Sequence, residues 1–252
     1  GHLGPVGSGE RSLMSFWPWY GLRGGQQTES WEASVPAGAS PGRPVAAARQ
    51  DADQFSMICP TQALRAQAGR VEVEMDHCVH CQRCRQGADP LPWQEDAAWS
   101  HWRDTHAQPF PARFRRSLHV LYVDAGACGA CVNEIRLVDA PVYNLHRFGI
   151  FITATPRDAD VLLVSGPITD AMHRAVVKAY AAMPEPKRVL GMGVCAINGG
   201  VFGKSFASHG GLEGVIPVDL WIPGCPPPPL AIIEGLRRLM GWTNGPAERE
   251  VR

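Results

Sequence analysis

Three cysteines recur at three-residue intervals in the stretch HCVHCQRCRQGADP. Cys78, Cys81 and Cys84 match the first three positions of the run C-x2-C-x2-C-x3-C-P, whose thiolates hold iron–sulfur clusters. Where that run has its fourth cysteine this chain has Ala88, and Asp89 replaces the following proline. The run therefore supplies three thiolate ligands, and a fourth has to come from elsewhere in the chain.

The missing ligand is predicted upstream, in the stretch MICPTQAL. In two-cluster ferredoxins, the cysteine before proline in one run ligates the cluster of the other run. Cys59 precedes Pro60, and no cysteine lies upstream of it, so the partner run has lost its own three ligands. The three cysteines missing upstream of Cys59 and the cysteine missing at position 88 would all have been ligands of one second cluster, which this chain lacks. The sequence therefore predicts one [4Fe–4S] cluster, with the ligands Cys59, Cys78, Cys81 and Cys84.

A structural zinc site is the alternative for these ligands, because zinc also binds four thiolates. Zinc ligands usually come as two C-x2-C pairs, whereas a triple with a remote Cys-Pro favours iron–sulfur. His77 and His80 flank the ligands. We expect both side chains to be exposed and assign them no role.

Four further cysteines each follow one of the five strands predicted after residue 117. Cys128 and Cys131 follow the first of these strands, Cys195 follows the fourth, and Cys225 follows the fifth. The carboxyl ends of parallel strands meet at the edge where open α/β sheets bind ligands. Glycines surround these cysteines, and they allow the backbone to approach a bulky group. Buried structural cysteines are the alternative. Four thiols converging on one edge favour a second ligand set instead.

From residue 118 onward the sequence alternates between strands and helices. The strand signals are LHVLYVD, GIFITATP, ADVLLVSGP, KRVLGMGV and VIPVDLWIP. Between the third and fourth runs, TDAMHRAVVKAYAAMPEP predicts a helix with Thr169 as N-cap and Pro184 as its end. LAIIEGLRRLMGW predicts a final helix. The expected fold is α/β, a doubly wound, flavodoxin-like parallel sheet preceded by a small ferredoxin-like [4Fe–4S] unit.

We divide the chain into five segments. Residues 1–52 are an extended tail, either disordered or bound to a partner through its aromatics FWPWY and Trp31. Residues 53–90 form the single-cluster unit, in which ALRAQAGRVEVEM predicts a hairpin and the metal supplies stability that so small a core lacks. Residues 91–117 are a connector with an exposed run of arginines, 118–242 the main domain and 243–252 a tail.

Composition excludes several classes of function. The chain of 252 residues has 24 basic and 24 acidic residues, so we expect no nucleic-acid partner. We see neither a signal peptide nor an apolar stretch of about 18 residues, and therefore expect no membrane span. Without a secretory signal, metal ligation explains the eight cysteines better than disulfides do.

Four stretches together resemble a known family: CGACVNE, FGIFITATPRDADVLLVSGPIT, MPEPKRVLGMGVCAINGGVF and GVIPVDLWIPGCPPPP. They are similar to the small, electron-transfer subunit of group 4 energy-converting [NiFe] hydrogenases and formate hydrogenlyase. They are also similar to the complex I subunit that binds the terminal [4Fe–4S] cluster. The complex I branch has adjacent cysteines at the first ligand pair, whereas Cys128 and Cys131 are separated by two residues, as in the hydrogenase branch. The N-terminal unit resembles the two-cluster ferredoxin subunit of these complexes, reduced to one cluster.

The resemblance implies that Cys128, Cys131, Cys195 and Cys225 hold the proximal [4Fe–4S] cluster, which faces a catalytic large subunit. Glu134 matches the glutamate of the motif C-x2-C-x2-E, and the family pattern implies a place near a proton path. The alternative explanation is that Glu134 is an acidic residue in the first turn of a helix, where the helix dipole favours negative charge. Asp158 stands where the family usually has histidine.

The expected function is electron relay through two [4Fe–4S] clusters to or from a NiFe centre in the large subunit, for hydrogen oxidation or proton reduction. The chain itself would hold no centre that reacts with substrate. Expected partners are the large subunit, integral membrane subunits and a ferredoxin or another iron–sulfur donor, on the cytoplasmic side of a membrane. A nickel-free, complex I-like oxidoreductase and a zinc-stabilised scaffold remain as alternatives.

Overall fold

The computed structural model describes residues 38, 40–105 and 107–242. The stretch FWPWY, Trp31 and the tail 243–252 lie outside the described residues. The predictions for them, like the boundaries of the five segments, stay predictions. Within the described ranges, no helix is both long and apolar enough to cross a lipid bilayer.

Two small sheets build the N-terminal part of the described chain. Its elements are β1 (Arg43–Pro44), β2 (Ala47–Ala48), α1 (Ala52–Ser56), β3 (Leu64–Gln67), β4 (Arg70–Val73) and β5 (Trp93–Gln94). The predicted hairpin is confirmed: β3 and β4 pair antiparallel, and Gly69 takes φ +73° in the turn. β2 pairs with β4, and β1 with β5. A small apolar core of Phe55, Leu64, Val71 and Leu91 joins α1 to the hairpin.

A six-stranded sheet forms the larger part of the fold. Its strands are β6 (His101–Trp102), β7 (Leu118–Asp124), β8 (Ile150–Thr153), β9 (Val161–Ser165), β10 (Arg188–Met192) and β11 (Leu220–Ile222). The strand order is β6-β11-β10-β9-β7-β8, and β7 to β11 are parallel. The predicted doubly wound, flavodoxin-like sheet is confirmed, with its order reversing between β7 and β9. All residues of β9 are buried, as expected for a strand covered on both faces.

Four helices of the described chain accompany this sheet: α2 (Ala130–Leu137), α3 (Asp170–Ala182), α4 (Val194–Asn198) and α5 (Pro229–Leu239). The predicted helix α3 buries Val176 in the core, where Met183 packs just after its end. Thr169 occupies the N-cap position, but its side chain makes no capping hydrogen bond. The predicted final helix is α5, most of whose residues are buried.

The predicted connector also contributes the edge strand β6, which pairs antiparallel with β11. Ser100, just before β6, donates a 2.7 Å hydrogen bond to a carboxylate oxygen of Glu234 on α5. Arg238 donates to the Ser100 carbonyl at 2.6 Å. The sequence contains no signal for β6, because a two-residue strand has too few positions to show alternation.

We expect Glu234→Gln to flatten the dependence of stability on pH. Burial raises the pKa of Glu234, against the opposing effects of the Ser100 hydrogen bond and of Arg238. A carboxyl whose folded pKa lies above its unfolded value stabilises the fold at low pH. That contribution is lost as pH rises through the folded pKa. Glutamine keeps an acceptor for Ser100 and cannot ionise.

The measurement is the free energy of unfolding in urea, without oxygen, at several pH values between about 5 and 8. Wild type should lose stability over this range relative to Glu234→Gln. Glu213→Gln, at an exposed carboxylate, is the matched control and should follow wild type. Parallel curves for wild type and Glu234→Gln would show that another group titrates.

Candidate metal centres

The structure brings the four N-terminal cysteines to one cavity. Cys59 follows α1, and the other three lie in the loop between β4 and β5. The side chains of all four line this cavity, together with Pro44, Leu64 and Trp93. His80 and Gln82, which lie between the cysteines of the loop, take left-handed backbone angles of φ +51° and +59°. These tight turns bring cysteines three residues apart to the same space.

These thiols ionise only at a cost that a bound cation would offset. Burial raises the pKa of Cys78 to about 11, and the charges of the neighbouring thiols contribute to the rise. Burial also raises the pKa of Cys84. Thiolates crowded in a buried site repel one another, and a metal stabilises them because the thiolate is the metal ligand. The donor set fits a four-thiolate iron–sulfur cluster.

Hydrogen-bond donors also surround this cavity. Ala63 N–H donates to Cys59 Sγ at 3.2 Å. The indole N–H of Trp93 is buried and has no hydrogen-bond partner among the described residues. It lies near the Cys84 thiol, and this interaction opposes the rise in the pKa of Cys84 that burial causes. An N–H group aimed at a ligand sulfur is one of the means by which proteins tune iron–sulfur sites.

The expectation that His80 is exposed is wrong. Its ring stacks on Trp99 with centroids 5.0 Å apart, and burial lowers its pKa. His77 differs, because its side chain is 42% exposed and lies 3.4 Å from a Glu74 carboxylate oxygen. His80 is enclosed because Trp93 and Trp99 of the predicted connector fold back over the cysteine loop.

The second set of cysteines lies at the carboxyl edge of the six-stranded sheet. Cys128 and Cys131 follow β7, Cys195 lies in α4 directly after β10, and Cys225 follows β11. β7 flanks the point where strand order reverses, which is where doubly wound sheets bind ligands. Burial, together with the charges of the other three thiols, raises the pKa of Cys131 to about 12. Burial followed by the charges of Cys225 and Cys128 raises the pKa of Cys195 to about 11.

Glycines make room for these sulfurs. A Cβ on Gly193 would lie 3.0 Å from Cys131 Sγ, and one on Gly200 would lie 2.8 Å from Cys195 Sγ. Backbone hydrogen bonds join the two strand ends that hold Cys195 and Cys225: Gly193 N–H donates to the Ile222 carbonyl at 2.8 Å, and Val194 N–H to the Gly224 carbonyl at 3.0 Å. The backbone therefore leaves space beside the thiols that side chains would fill.

In the part of the chain that the structure describes, no three His, Cys, Asp or Glu side chains are spaced to hold a single metal ion. The members of each cysteine set nevertheless influence one another electrostatically. The structure thus groups the eight cysteines as the sequence predicts, and their role as ligands stays a prediction.

Glu134 and Asp158 are the other two positions that the family resemblance singles out. Glu134 is half-buried in the second turn of α2, and burial raises its pKa. The first turn of α2 contains no acidic residue. The alternative explanation, that Glu134 is a first-turn acid favoured by the helix dipole, is therefore wrong. Asp158 is exposed in a 3-10 turn, and nothing in the structure explains its departure from histidine.

A hydrogen bond of Asn198 connects the surroundings of the two sets. Asn198, three residues after Cys195, donates through Nδ2 to the Asp76 carbonyl at 2.8 Å. Asp76 lies two residues before Cys78, and its carboxylate is 3.3 Å from His101 Nε2. The Asn198 side chain also accepts from Gly200 N–H at 2.9 Å. The amide of Asn198 thus ties α4 to the cysteine loop.

Comparison with known proteins identifies the family. The model for the NADH ubiquinone oxidoreductase 20 kDa subunit matches residues 128–239, which include the whole second cysteine set. An uncharacterized protein of Methanocaldococcus jannaschii is 45% identical over 125 residues, which are 50% of this chain and 84% of that protein. The chain belongs to this family. The resemblance predicted for the main domain is confirmed, and that of the N-terminal unit to a two-cluster ferredoxin subunit stays a prediction.

Two further relatives have names that state a function. Formate hydrogenlyase subunit 7 of Escherichia coli is 38% identical over 51% of this chain and 51% of its own length. A probable membrane-bound hydrogenase subunit of Pyrococcus furiosus is 41% identical over 48% of this chain and 72% of its own length. The match thus spans about half the length of the Escherichia coli relative. It covers about half of this chain in each case.

Two solved structures are also similar. A chain of a membrane-bound sulfane sulfur reductase, an archaeal respiratory membrane complex, is 33% identical with a TM-score of 0.46, over 51% of this chain and 71% of that chain. A chain of an NAD+-reducing [NiFe]-hydrogenase is 19% identical with a TM-score of 0.41, over 54% of this chain and 99% of that one.

If the second set binds a metal, we expect Gly200→Ala to weaken or abolish that binding. The new methyl group would lie 2.8 Å from Cys195 Sγ and 3.2 Å from a Val194 methyl group, so the thiol has to move. Iron and acid-labile sulfide per chain should fall by about half if each set holds one cluster. Gly203→Ala is the matched control, because Gly203 also has positive φ but has no neighbour within 4 Å of its added Cβ. Equal metal content in the two variants would contradict the role of this glycine.

Proposed function

We propose that this chain is the electron-transfer subunit of a hydrogenase-type complex. Each cysteine set would hold one [4Fe–4S] cluster, and electrons would pass between them to or from a NiFe centre in a partner large subunit. The observation that supports this most is the convergence of eight cysteines into two sets of four, one at the ligand-binding edge of the sheet. Membership of the family supports the proposal for the second set.

A [4Fe–4S] cluster supplies one-electron redox chemistry when it is bound. The thiolates of Cys59, Cys78, Cys81 and Cys84 would hold the first cluster, and those of Cys128, Cys131, Cys195 and Cys225 the second. Trp93 would donate toward Cys84, which favours extra negative charge at that sulfur. Each set has one buried cysteine, Cys78 or Cys131, and one exposed cysteine, Cys81 or Cys128, so each cluster would have one side toward the protein interior and one toward the surface. Glu134, half-buried on α2, would hold or pass a proton at its carboxylate near the large subunit.

The hydrogenase assignment rests on the ligand spacing and on relatives. Cys128 and Cys131 are separated by two residues, as in the hydrogenase branch, and two relatives are named as subunits of formate hydrogenlyase and of a membrane-bound hydrogenase. The proposed complex includes integral membrane subunits and an iron–sulfur donor such as a ferredoxin, and it places this chain peripherally on the cytoplasmic side. The family's complex I name supports the second candidate, a nickel-free oxidoreductase with another substrate.

Metal content of the native complex tests the function. The complex is captured through this chain without oxygen, and nickel, iron, sulfide and zinc are measured. We expect about one nickel per complex, with iron and sulfide for two clusters and brown absorbance at about 400 nm. Two clusters without nickel would favour the complex I-like candidate. A colourless, zinc-loaded preparation would contradict both.

We expect Cys59→Ala to degrade the first cluster and leave the second intact. Electron paramagnetic resonance of the reduced chain should lose one signal of two. Cys225→Ala is the matched control and should remove the other signal. Ala88→Cys should add none, because a further cluster would lack its remaining three ligands. Two intact signals in Cys59→Ala would show that the fourth ligand lies elsewhere.

A further inference from the structure

Four arginines surround a pocket at the amino edge of the six-stranded sheet. The pocket has a volume of about 310 Å³. Its lining consists of Arg115, Arg116, Arg147, Phe148, Gly149, Arg237 and Trp242. The second cysteine set lies at the other edge of the same sheet, after the strands rather than before them.

The topology of the sheet brings these arginines together. β7 and β8 are adjacent and parallel, with Leu118 opposite Ile150, so the segments that precede them run side by side. Leu118 N–H donates to the Gly149 carbonyl at 2.9 Å. Gly149 approaches the Arg116 carbonyl so closely that no Cβ fits between them. The exposed arginine run of the predicted connector is therefore held beside Arg147.

Aromatic side chains position the guanidinium groups. Arg147 lies 4.6 Å and Arg237 lies 5.3 Å from the Phe148 ring centroid. Arg237 is also 5.8 Å from the Trp242 ring, and the Trp242 indole donates to the Arg115 carbonyl at 3.2 Å. Stacking of arginine on aromatic faces reduces the conformational freedom that binding would otherwise remove.

The pocket is unbalanced in charge. Its lining, as far as the structure describes it, contains four arginines and no carboxylate. Arg237 interacts electrostatically with Glu234, so the excess positive charge of the lining belongs mainly to Arg115, Arg116 and Arg147. Like charges at this density repel, and an anion bound among them relieves the repulsion. Planar guanidinium groups pair with phosphate oxygens through two parallel hydrogen bonds.

We propose that this pocket binds a phosphoryl group. Its volume lies at the small end of the range for ligand pockets, which suits a compact anion rather than an extended chain. The phosphoryl group belongs either to a small free anion or to the headgroup of an anionic phospholipid, and both present the same oxygens to the arginines. The site is independent of the two cysteine sets and of nickel.

Binding of two probes to the full chain, prepared without oxygen, tests the proposal. Inorganic pyrophosphate is titrated by calorimetry, and cosedimentation is measured with vesicles of phosphatidylglycerol or of phosphatidylcholine alone. The variant is Arg116→Ala with Arg147→Ala, both of which are exposed and outside the core. The matched control is Arg136→Ala with Arg174→Ala, which removes two charges from α2 and α3. Absorbance at about 400 nm checks that each variant keeps its clusters.

We expect the pocket variant to bind at least about tenfold more weakly, because it loses charge-assisted hydrogen bonds, and the control to bind as wild type. Pyrophosphate binding would identify a free anion as the ligand, and binding to phosphatidylglycerol vesicles alone a lipid headgroup. The single variant Arg147→Ala provides the same comparison if the double variant fails to fold. Binding of neither probe, or equal losses in variant and control, would overturn the proposal.

Discussion

Burial of cysteine thiols beside one another is the constraint on which the rest of the structure depends. Burial, with a smaller contribution from the neighbouring thiols, raises the pKa of Cys78 to about 11 and that of Cys131 to about 12, so each place tolerates uncompensated charge poorly. The cationic core of a cluster would stabilise thiolates at these places. To bind a cluster, the protein has to hold four sulfurs close together with space among them, and the two cysteine sets are arranged for this in different ways.

At the edge of the six-stranded sheet, rigid strands and helices hold the four sulfurs close together. Parallel strands end together, so cysteines that follow β7, β10 and β11 converge although they are far apart in sequence. In the N-terminal unit, a short loop with left-handed backbone angles at His80 and Gln82 brings the cysteines together instead, beside a small apolar core. A bound metal would stabilise that unit more than the sheet domain, because its own core is so limited. The hydrogen bond from Asn198 to the Asp76 carbonyl links α4, which holds Cys195, to the loop that holds Cys78.

The features predicted from the sequence are those with a local signature. The five parallel strands, α3 and α5 have runs of apolar residues long enough to show their period, and the cysteines have diagnostic spacing. The strand β6, the enclosure of His80 by Trp93 and Trp99, and the arginine pocket have none. They arise where irregular segments meet distant parts of the fold, and a tryptophan in a connector does not indicate which side chain it will cover.

The opposite ends of one sheet hold the two unusual concentrations of polar side chains. Four cysteine thiols lie where the strands end, and four arginines lie where β7 and β8 begin. Residues at the two ends of a parallel strand are separated by its full length, about 3.3 Å per residue, and the seven residues of β7 keep them apart. A phosphoryl group in the arginine pocket and a metal held by the second cysteine set would therefore not compete for space.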